Sequence, residues 1–213
     1  MYIPKWFKVE RIDLLQEAIN KISFGTIITT GTSGIMASHV PMLIDPSKGS
    51  SGVLFGHIAR GNSQWRETLP GSDGLATFVG PNAYITPNWY STKKKTGKVV
   101  PTWNYINVQV RGSIVFVEDH KRLLEIVTKL TDHHESSSKI PWKVTDAPSE
   151  YIDGELESII GFEMKVSKIE GKWKLSQNRS PEDREGVKVG LADRGEPLDK
   201  SVLKEMEDQG PRE

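Results

Sequence analysis

The chain has 213 residues, of which 36% are hydrophobic and 26% are charged, and this composition indicates a globular protein. It contains no cysteine, which excludes disulfides, thiolate nucleophiles and zinc–thiolate sites. The 28 basic and 28 acidic residues cancel, and zero net charge counts against a protein that binds DNA directly.

The first part of the chain predicts one helix, a hairpin and a buried strand. Apolar residues spaced three and four apart predict an amphipathic helix over 11–22. A β-branched run at 26–30, a turn at 31–34 and a strand at 35–44 predict a hairpin. The next strand, 53–59, is too apolar to be an exposed edge.

The middle of the chain predicts further strands with little helix between them. Residues 75–79 form a strand that Gly80-Pro81 interrupts, with the pairing continued at 84–86 after a bend, and 87–98 are predicted to be a polar loop. A long strand follows at 103–117, with a bulge or kink at Gly112. Strands with few helical crossovers favour an α+β fold whose core is mainly β.

The last third adds a helix that begins after Asp119, a helix at 149–159 and a strand at 162–168. The final forty residues are strongly charged and helical in pattern. We therefore divide the chain into a domain at 1–179 and a charged helical extension at 180–213.

The N-terminal residues show no apolar core of a signal peptide, and no apolar run approaches the roughly 18 residues of a membrane span. We expect a soluble, cytoplasmic protein. Motifs of dinucleotide-binding, P-loop, zinc-protease and serine-hydrolase sites are absent from the sequence. His133 and His134 would project about 100° apart on a helix, so they do not predict a metal site.

Polar residues follow strand 53–59 at the start of a short predicted helix, for which Asn62 is the expected N-cap. Donors beside a helix N-terminus favour a phosphate, and the guanidinium of Arg60 could fork onto one. The alternative is that Asn62 only caps the helix and that Arg60 is solvated.

Two aromatic segments that contain proline, 84–90 and 100–105, flank a loop with three lysines. Rigid aromatic rings beside polar groups suit a planar heteroaromatic ligand. The alternative is that these rings belong to the core or to an interface and that the lysines are solvated.

The chain resembles the PaiB family of FMN-binding negative transcriptional regulators, from Met1 to about Leu191. The resemblance is carried by six blocks in order: Tyr2-Ile3-Pro4, His39-Val40-Pro41, Gly56–Asn62, Gly80–Ile85, Val100–Tyr105 and Lys172–Arg179. One departure is His39-Val40-Pro41-Met42, where the broader oxidase family has a phosphate-binding strand rich in arginine and lysine.

This resemblance implies a six-stranded antiparallel FMN-binding split β-barrel with peripheral helices, related to pyridoxamine-phosphate oxidase and flavin reductases. It implies a homodimer with the flavin in a cleft between subunits, near segments 84–90 and 100–105. It also implies negative regulation of sporulation and of degradative-enzyme (protease) synthesis. The zero net charge and the lack of a DNA-binding motif count against direct DNA binding in this regulation.

On this basis we expect nine residues at the FMN site: His57, Arg60, Asn62, Ser63, Gln64, Trp89, Lys93, Trp103 and Asn104. The run from Arg60 to Gln64 would hold the phosphate, with Lys93 as a secondary contact. The two tryptophans and Asn104 would lie against the isoalloxazine, and His57 would orient these groups.

Two alternatives remain open at this point. The chain could be a flavin-dependent oxidoreductase of the pyridoxamine-phosphate-oxidase type, with regulation as a consequence of metabolism. It could also handle haem, with His57 or His39 as the axial ligand.

Overall fold

The computed structural model describes residues 1–208, and the end of the predicted extension, 209–213, lies outside the described residues. The strands are β1 (Lys8–Val9), β2 (Phe24–Gly31), β3 (Gly34–Asp45), β4 (Val53–Ala59), β5 (Asp73–Ile85), β6 (Thr102–Val117) and β7 (Ile159–Lys174). The helices are α1 (Ile12–Ile22), α2 (Gln64–Glu67), α3 (Ser91–Thr96), α4 (His120–Glu135), α5 (Ser149–Glu157), α6 (Pro181–Arg194) and α7 (Pro197–Asp208). Single 3₁₀ turns lie at Lys5–Phe7, Pro87–Trp89 and Val144–Asp146.

The strands form one sheet in the order β1-β7-β4-β3-β2-β5-β6, and β7 also pairs with β6. This last pairing closes the strand order into a ring, which is the topology of a β-barrel. The registered pairs are antiparallel, as in β2–β3, where Phe24 faces Pro41 and Gly31 faces Gly34. The predicted six-stranded antiparallel barrel is confirmed, because the ring comprises β7, β4, β3, β2, β5 and β6, and the two-residue β1 adds a seventh strand to the sheet by pairing with β7 outside the ring.

The chain divides into two compact units. The central unit comprises Ile12–Phe78 and Gln109–Ile169. The terminal unit comprises Met1–Arg11, Val79–Val108 and the described residues from Glu170 onward. The predicted division at residue 179 stays a prediction. None of the helices within 1–208 is long and apolar enough to cross a membrane.

The core of the central unit forms where α4 covers the sheet. Ile126 and Leu130 of α4 cluster with Leu43 of β3 and Phe55 of β4, all of them buried. Burying each such side chain contributes roughly 1.5–3 kcal/mol. Asp119 accepts a hydrogen bond from the Arg122 amide and so caps α4, as the sequence predicts.

Strand β6 continues through Gly112, where a bulge or kink was predicted. A Cβ atom at this position would collide with the carbonyl oxygen of Lys165 on β7. The glycine is therefore required because two strands approach closely, and not because the chain bends.

Two other local predictions are wrong. Strand β5 runs through Gly80-Pro81 to Ile85 without interruption. The predicted polar loop 87–98 contains a 3₁₀ turn and α3. Helix α3 forms because Asp183, from α6, accepts hydrogen bonds from the Ser91 hydroxyl (3.0 Å) and the Thr92 amide (2.9 Å). This cap lies about ninety residues away, so the local sequence could not reveal it.

Candidate functional site

Arg60 stands directly after β4, and two of its three guanidinium nitrogens donate hydrogen bonds to other residues of the protein. Its Nε donates to the carbonyl oxygen of Glu157 (2.6 Å), and its Nη1 donates to the carboxylate of Glu118 (2.8 Å). The side chain is 34% exposed, and its Nη2 has no hydrogen-bond partner among residues 1–208. Arg60 therefore keeps an exposed donor group for an anion.

Gln64 occupies the centre of a buried polar network in the central unit. Its Nε2 donates to Thr29 Oγ1 (3.1 Å) and to the carbonyl oxygen of Ile27 (3.3 Å). Its Oε1 accepts from the hydroxyl of Ser38 (2.6 Å), whose oxygen accepts from Asn62 Nδ2 (2.7 Å). Gln64 is 2% exposed, so its amide holds α2 against β2 and β3. Direct contact between this amide and a phosphate stays a prediction.

Asn62 caps the first turn of α2 with its side chain, as predicted, although the helix itself begins at Gln64. Ser63, directly before the helix, makes no side-chain cap, and Asn62 Oδ1 accepts from the Gln64 amide (3.0 Å). Helix α2 has only four residues, too few to build a substantial dipole. The phosphate hypothesis in this unit therefore rests on the guanidinium of Arg60 and not on the helix.

His57 lies on β4 opposite Gly161 of β7. Its Nδ1 is buried and has no hydrogen-bond partner in the described part of the chain. Burial lowers the pKa of the imidazole, so the ring is neutral at neutral pH. A neutral imidazole with one unpaired nitrogen can accept or donate a hydrogen bond to a ligand.

The terminal unit carries an exposed pair of aromatic rings. Trp103 of β6 packs edge-on against Tyr84 of β5, with ring centroids 6.0 Å apart. The indole Nε1 of Trp103 donates to Asn82 Oδ1 (3.3 Å), which fixes the ring orientation. Trp103 is 48% exposed, so part of the indole remains available for stacking.

Asn104, the next residue along β6, points the opposite way and is completely buried. Its Nδ2 donates to the hydroxyl of Ser176 (2.9 Å), which follows β7. The same amide nitrogen lies 3.9 Å from the sulfur of Met206 on α7. In this arrangement Asn104 anchors the C-terminal part of the unit, and its contact with a flavin edge stays a prediction.

Trp89 and Lys93 are also engaged within the terminal unit. Trp89 packs on Gly190 of α6, and the guanidinium of Arg194 lies 4.8 Å from the indole centroid. Lys93 is exposed, and its Nζ donates to Asn88 Oδ1. Trp89 also lines an open groove on α6, beside Pro181 and Val189.

The predicted residues thus fall into two groups. His57 and the run from Arg60 to Gln64 lie together in the central unit, and the remaining four lie in the terminal unit.

The sequence analysis missed Asn82, which orients Trp103, and Lys174, whose Nζ donates to the carbonyl oxygen of Trp103 (2.5 Å). Lys174 stands inside the block Lys172–Arg179, and this was the only signal of its importance.

Comparison with known proteins identifies the family to which the chain belongs. The family described as "Putative FMN-binding domain" matches residues 1–168. The chain is 35% identical over 209 residues to the protease synthase and sporulation protein PAI 2 of Bacillus subtilis, and the match covers 98% of each chain.

Two solved structures share the fold at low sequence identity. The flavocytochrome Anf3 from Azotobacter vinelandii has a TM-score of 0.57 and 8% identity, over 81% of this chain and 72% of the other. The FAD and haem binding protein from Mycobacterium smegmatis has a TM-score of 0.53 and 13% identity, over 78% and 73%. With the family match over most of its length, the chain belongs to this FMN-binding family, and FMN is its cofactor.

Proposed function

We propose that this protein is an FMN-binding negative regulator of sporulation and protease synthesis that acts as a homodimer. The proposal rests on the match to PAI 2, which covers nearly the whole of both chains. Zero net charge supports regulation through protein contacts or an indirect route, and not through direct DNA binding.

The residues present fit a flavin nucleotide. In the central unit, Arg60 offers exposed N–H groups for a phosphate and His57 offers an unpaired ring nitrogen. Asn62, Ser63 and Gln64 would support Arg60 by fixing the turn that follows it. In the terminal unit, taken by itself, the exposed indole of Trp103 offers a stacking face. A bound flavin supplies reversible electron transfer, and Arg60 and His57 would bind and orient it.

The phosphate assignment is tested by replacing Arg60. Arg60→Ala is expected to weaken FMN binding by roughly 1.5–3 kcal/mol, the contribution of a hydrogen bond to a charged group. Riboflavin, which lacks the phosphate, should lose much less affinity. The measurement is titration of the purified protein with each flavin, followed by flavin fluorescence and absorption.

Arg66→Ala is the matched control for this titration. Arg66 stands six residues after Arg60, on α2, where its guanidinium lies over the ring of Trp65 at 4.5 Å. We expect this variant to bind both flavins as the wild type does. Equal losses for FMN and riboflavin in Arg60→Ala, or no loss for either, would show that the phosphate lies elsewhere.

The outward face of β2, β3 and β5 supports the homodimer. Its cross-strand rows are Phe24–Pro41, Thr26–His39, Ile28–Ala37 and Thr30–Ile35, with Thr77 and Leu75 beside Thr26 and Ile28. None of these side chains is acidic, lysine or arginine, and Phe24 and Ile35 are 58% and 80% exposed. A face of apolar and uncharged polar side chains, without acidic residues, lysine or arginine, is typical of the buried centre of an interface.

A charge placed on this face should break the dimer. Ile35→Asp would bury an unpaired carboxylate at the interface, and we expect it to convert the 23.8 kDa chain from dimer to monomer in light scattering. Ile140→Asp is the matched control, because Ile140 is 89% exposed on a loop outside this face. A wild-type monomer at micromolar concentration would contradict the dimer.

The unpaired nitrogen of His57 favours haem handling as the second candidate function. Titration of the protein with haem, followed by its absorption spectrum, separates the two candidates. A haem spectrum that His57→Ala abolishes, without any response to FMN, would replace the flavin proposal.

A further inference from the structure

Lys172 and Lys174 lie at the C-terminal end of β7 in the terminal unit, and Arg179, whose charge acts on Lys174, follows five residues later in the block Lys172–Arg179. Lys172 and Lys174 are two residues apart on a strand, so their side chains leave the same face of the sheet. Lys172 is only 9% exposed, and its Nζ donates to the carbonyl oxygen of Tyr2 (3.3 Å). Nζ of Lys174 donates to Thr102 Oγ1 (2.7 Å) and to the carbonyl oxygen of Trp103 (2.5 Å).

Aromatic rings surround these cations. Nζ of Lys172 lies 5.2 Å from the ring centroid of Tyr105 and 5.7 Å from that of Tyr2. The guanidinium of Arg179 lies 4.7 Å from the ring of Tyr90. Aromatic faces attract a cation but carry no net charge, so they leave the positive charge of the cluster uncompensated.

The neighbouring carboxylates form no ion pair with the two lysines in the described part of the chain. Glu170, on the same strand, accepts from the amino group of Met1 (3.2 Å). Asp183 accepts hydrogen bonds from Ser91 and Thr92, and its negative charge acts on Arg179 and not on the lysines. Burial, and then the positive charges of Lys172 and Arg179, lower the pKa of Lys174 to about 8.

We propose that Lys172, Lys174 and Arg179 bind the phosphate group of a small molecule. An ammonium has three donors, so Lys174 keeps one and Lys172 keeps two beyond the hydrogen bonds described above. Arg179 adds a planar fork that matches a phosphate. A phosphate carries nearly two negative charges near neutrality, which would compensate the excess charge of the cluster.

Two sources of this phosphate share the same chemistry. It is either the phosphate of FMN or that of a second small molecule. In the first case the inference rests on the proposed flavin function and replaces Arg60 as the contact of the flavin phosphate, and in the second case it does neither. Binding of inorganic phosphate tests the cluster without reference to flavin.

The test is isothermal titration calorimetry of the full chain with inorganic phosphate. We expect the wild type to bind, and Lys174→Met and Arg179→Met each to lose at least about tenfold in affinity. Lys94→Met is the control, because Lys94 is an exposed lysine on α3 in the same unit, and it should bind as the wild type does. No binding by the wild type, or equal binding by all four proteins, would overturn the proposal.

Thermal melting of a second variant distinguishes loss of the phosphate site from loss of the fold. Lys174→Gln keeps a donor near Thr102 and removes the buried charge, so it should melt no lower than the wild type yet lose phosphate binding. Sulfate, which does not titrate near neutrality, should bind to the wild type at pH 8 with uptake of a proton, because an anion raises the pKa of Lys174. Sulfate binding without proton uptake in the wild type would contradict the part assigned to Lys174.

Parallel titrations with FMN and riboflavin identify the source. A loss of FMN affinity in Lys174→Gln, with riboflavin binding unchanged, assigns the cluster to the flavin phosphate. Unchanged FMN affinity, with inorganic phosphate binding lost, assigns it to a second molecule. If the wild type binds neither flavin, the flavin proposal fails, whereas the inorganic phosphate titration still decides the cluster.

Discussion

The polar cluster around Gln64 and the basic cluster around Lys174 are opposite solutions to burying polar groups. In the central unit, the amide of Gln64 is neutral and both its oxygen and its nitrogen find partners within the protein. In the terminal unit, Lys172 and Lys174 donate only to neutral oxygens and keep charge without a counter-ion. The first arrangement is complete, and the second requires an anion.

This difference shows that a polar residue type does not by itself mark a binding site. A fully bonded network stabilises the fold and fixes the positions of its neighbours. Donors that remain unpaired and charged are costly, so they persist where a ligand compensates them. The two clusters can therefore be separated by measuring stability in the absence of ligand.

The largest expected effect is on the central cluster. Gln64→Leu would leave Thr29, Ser38 and the carbonyl oxygen of Ile27 without their buried partner. Each unsatisfied buried group costs about 1–3 kcal/mol, part of which the neighbouring groups recover, so we expect a loss of about 3 kcal/mol in the free energy of unfolding. The measurement is urea denaturation followed by circular dichroism.

Gln16→Leu is the control for this variant. Gln16 makes one hydrogen bond, to the carbonyl oxygen of Ser51 (3.1 Å), and is only half-buried. We expect this control to lose about 0.5–1.5 kcal/mol. Equal losses in the two variants would contradict the special status of the Gln64 network.

The strands could be predicted from the sequence because alternating and β-branched patterns are local signals, and the resemblance to the PaiB family implied that they close into a barrel. The hydrogen bonds of Asn62 and Gln64 could not be predicted, because their partners Ser38 and Thr29 stand 24 and 35 residues away. The sequence shows that these residues are polar, but it does not show that their amide N–H groups donate to other side chains and carbonyl groups of the protein. Helix α3 escaped prediction for the same reason, since its cap comes from α6.

Trp89 extends the comparison to an aromatic ring that was predicted to stack on flavin. A Cβ atom at Gly190 would overlap its indole, so the ring is packed against α6. We expect Gly190→Ala to destabilise the protein by about 1–3 kcal/mol, the usual cost of overpacking. Thermal and urea denaturation would measure this loss.

Gly154→Ala is the matched control, because a Cβ atom at Gly154 in α5 meets no atom within 4 Å. Alanine has the higher helix propensity, so this variant should be neutral or more stable by up to about 1 kcal/mol. If Gly190→Ala behaved in the same way, Trp89 would be free to leave α6 and the flavin-stacking prediction would gain support.

The smallest expected effect concerns the pH dependence of the basic cluster. The folded-state pKa of Lys174 is about 8, below its ordinary value of 10.5. Between these pH values the unfolded chain binds more protons than the folded chain, so this lysine makes the wild type more stable as pH rises. Below pH 8 both states hold the proton, and the cost of burying the charge is fully present.

Lys174→Met removes that cost at every pH. The stability of the variant relative to the wild type should therefore fall as pH rises from 8 to 10, by about 1 kcal/mol after allowance for solvent screening of the half-buried ammonium. Lys94→Met, whose lysine is exposed, should show no such change. Parallel pH profiles for Lys174→Met and the wild type would mean that Lys174 is as well solvated as Lys94. The basic cluster would then lack the uncompensated charge that distinguishes it from the Gln64 network.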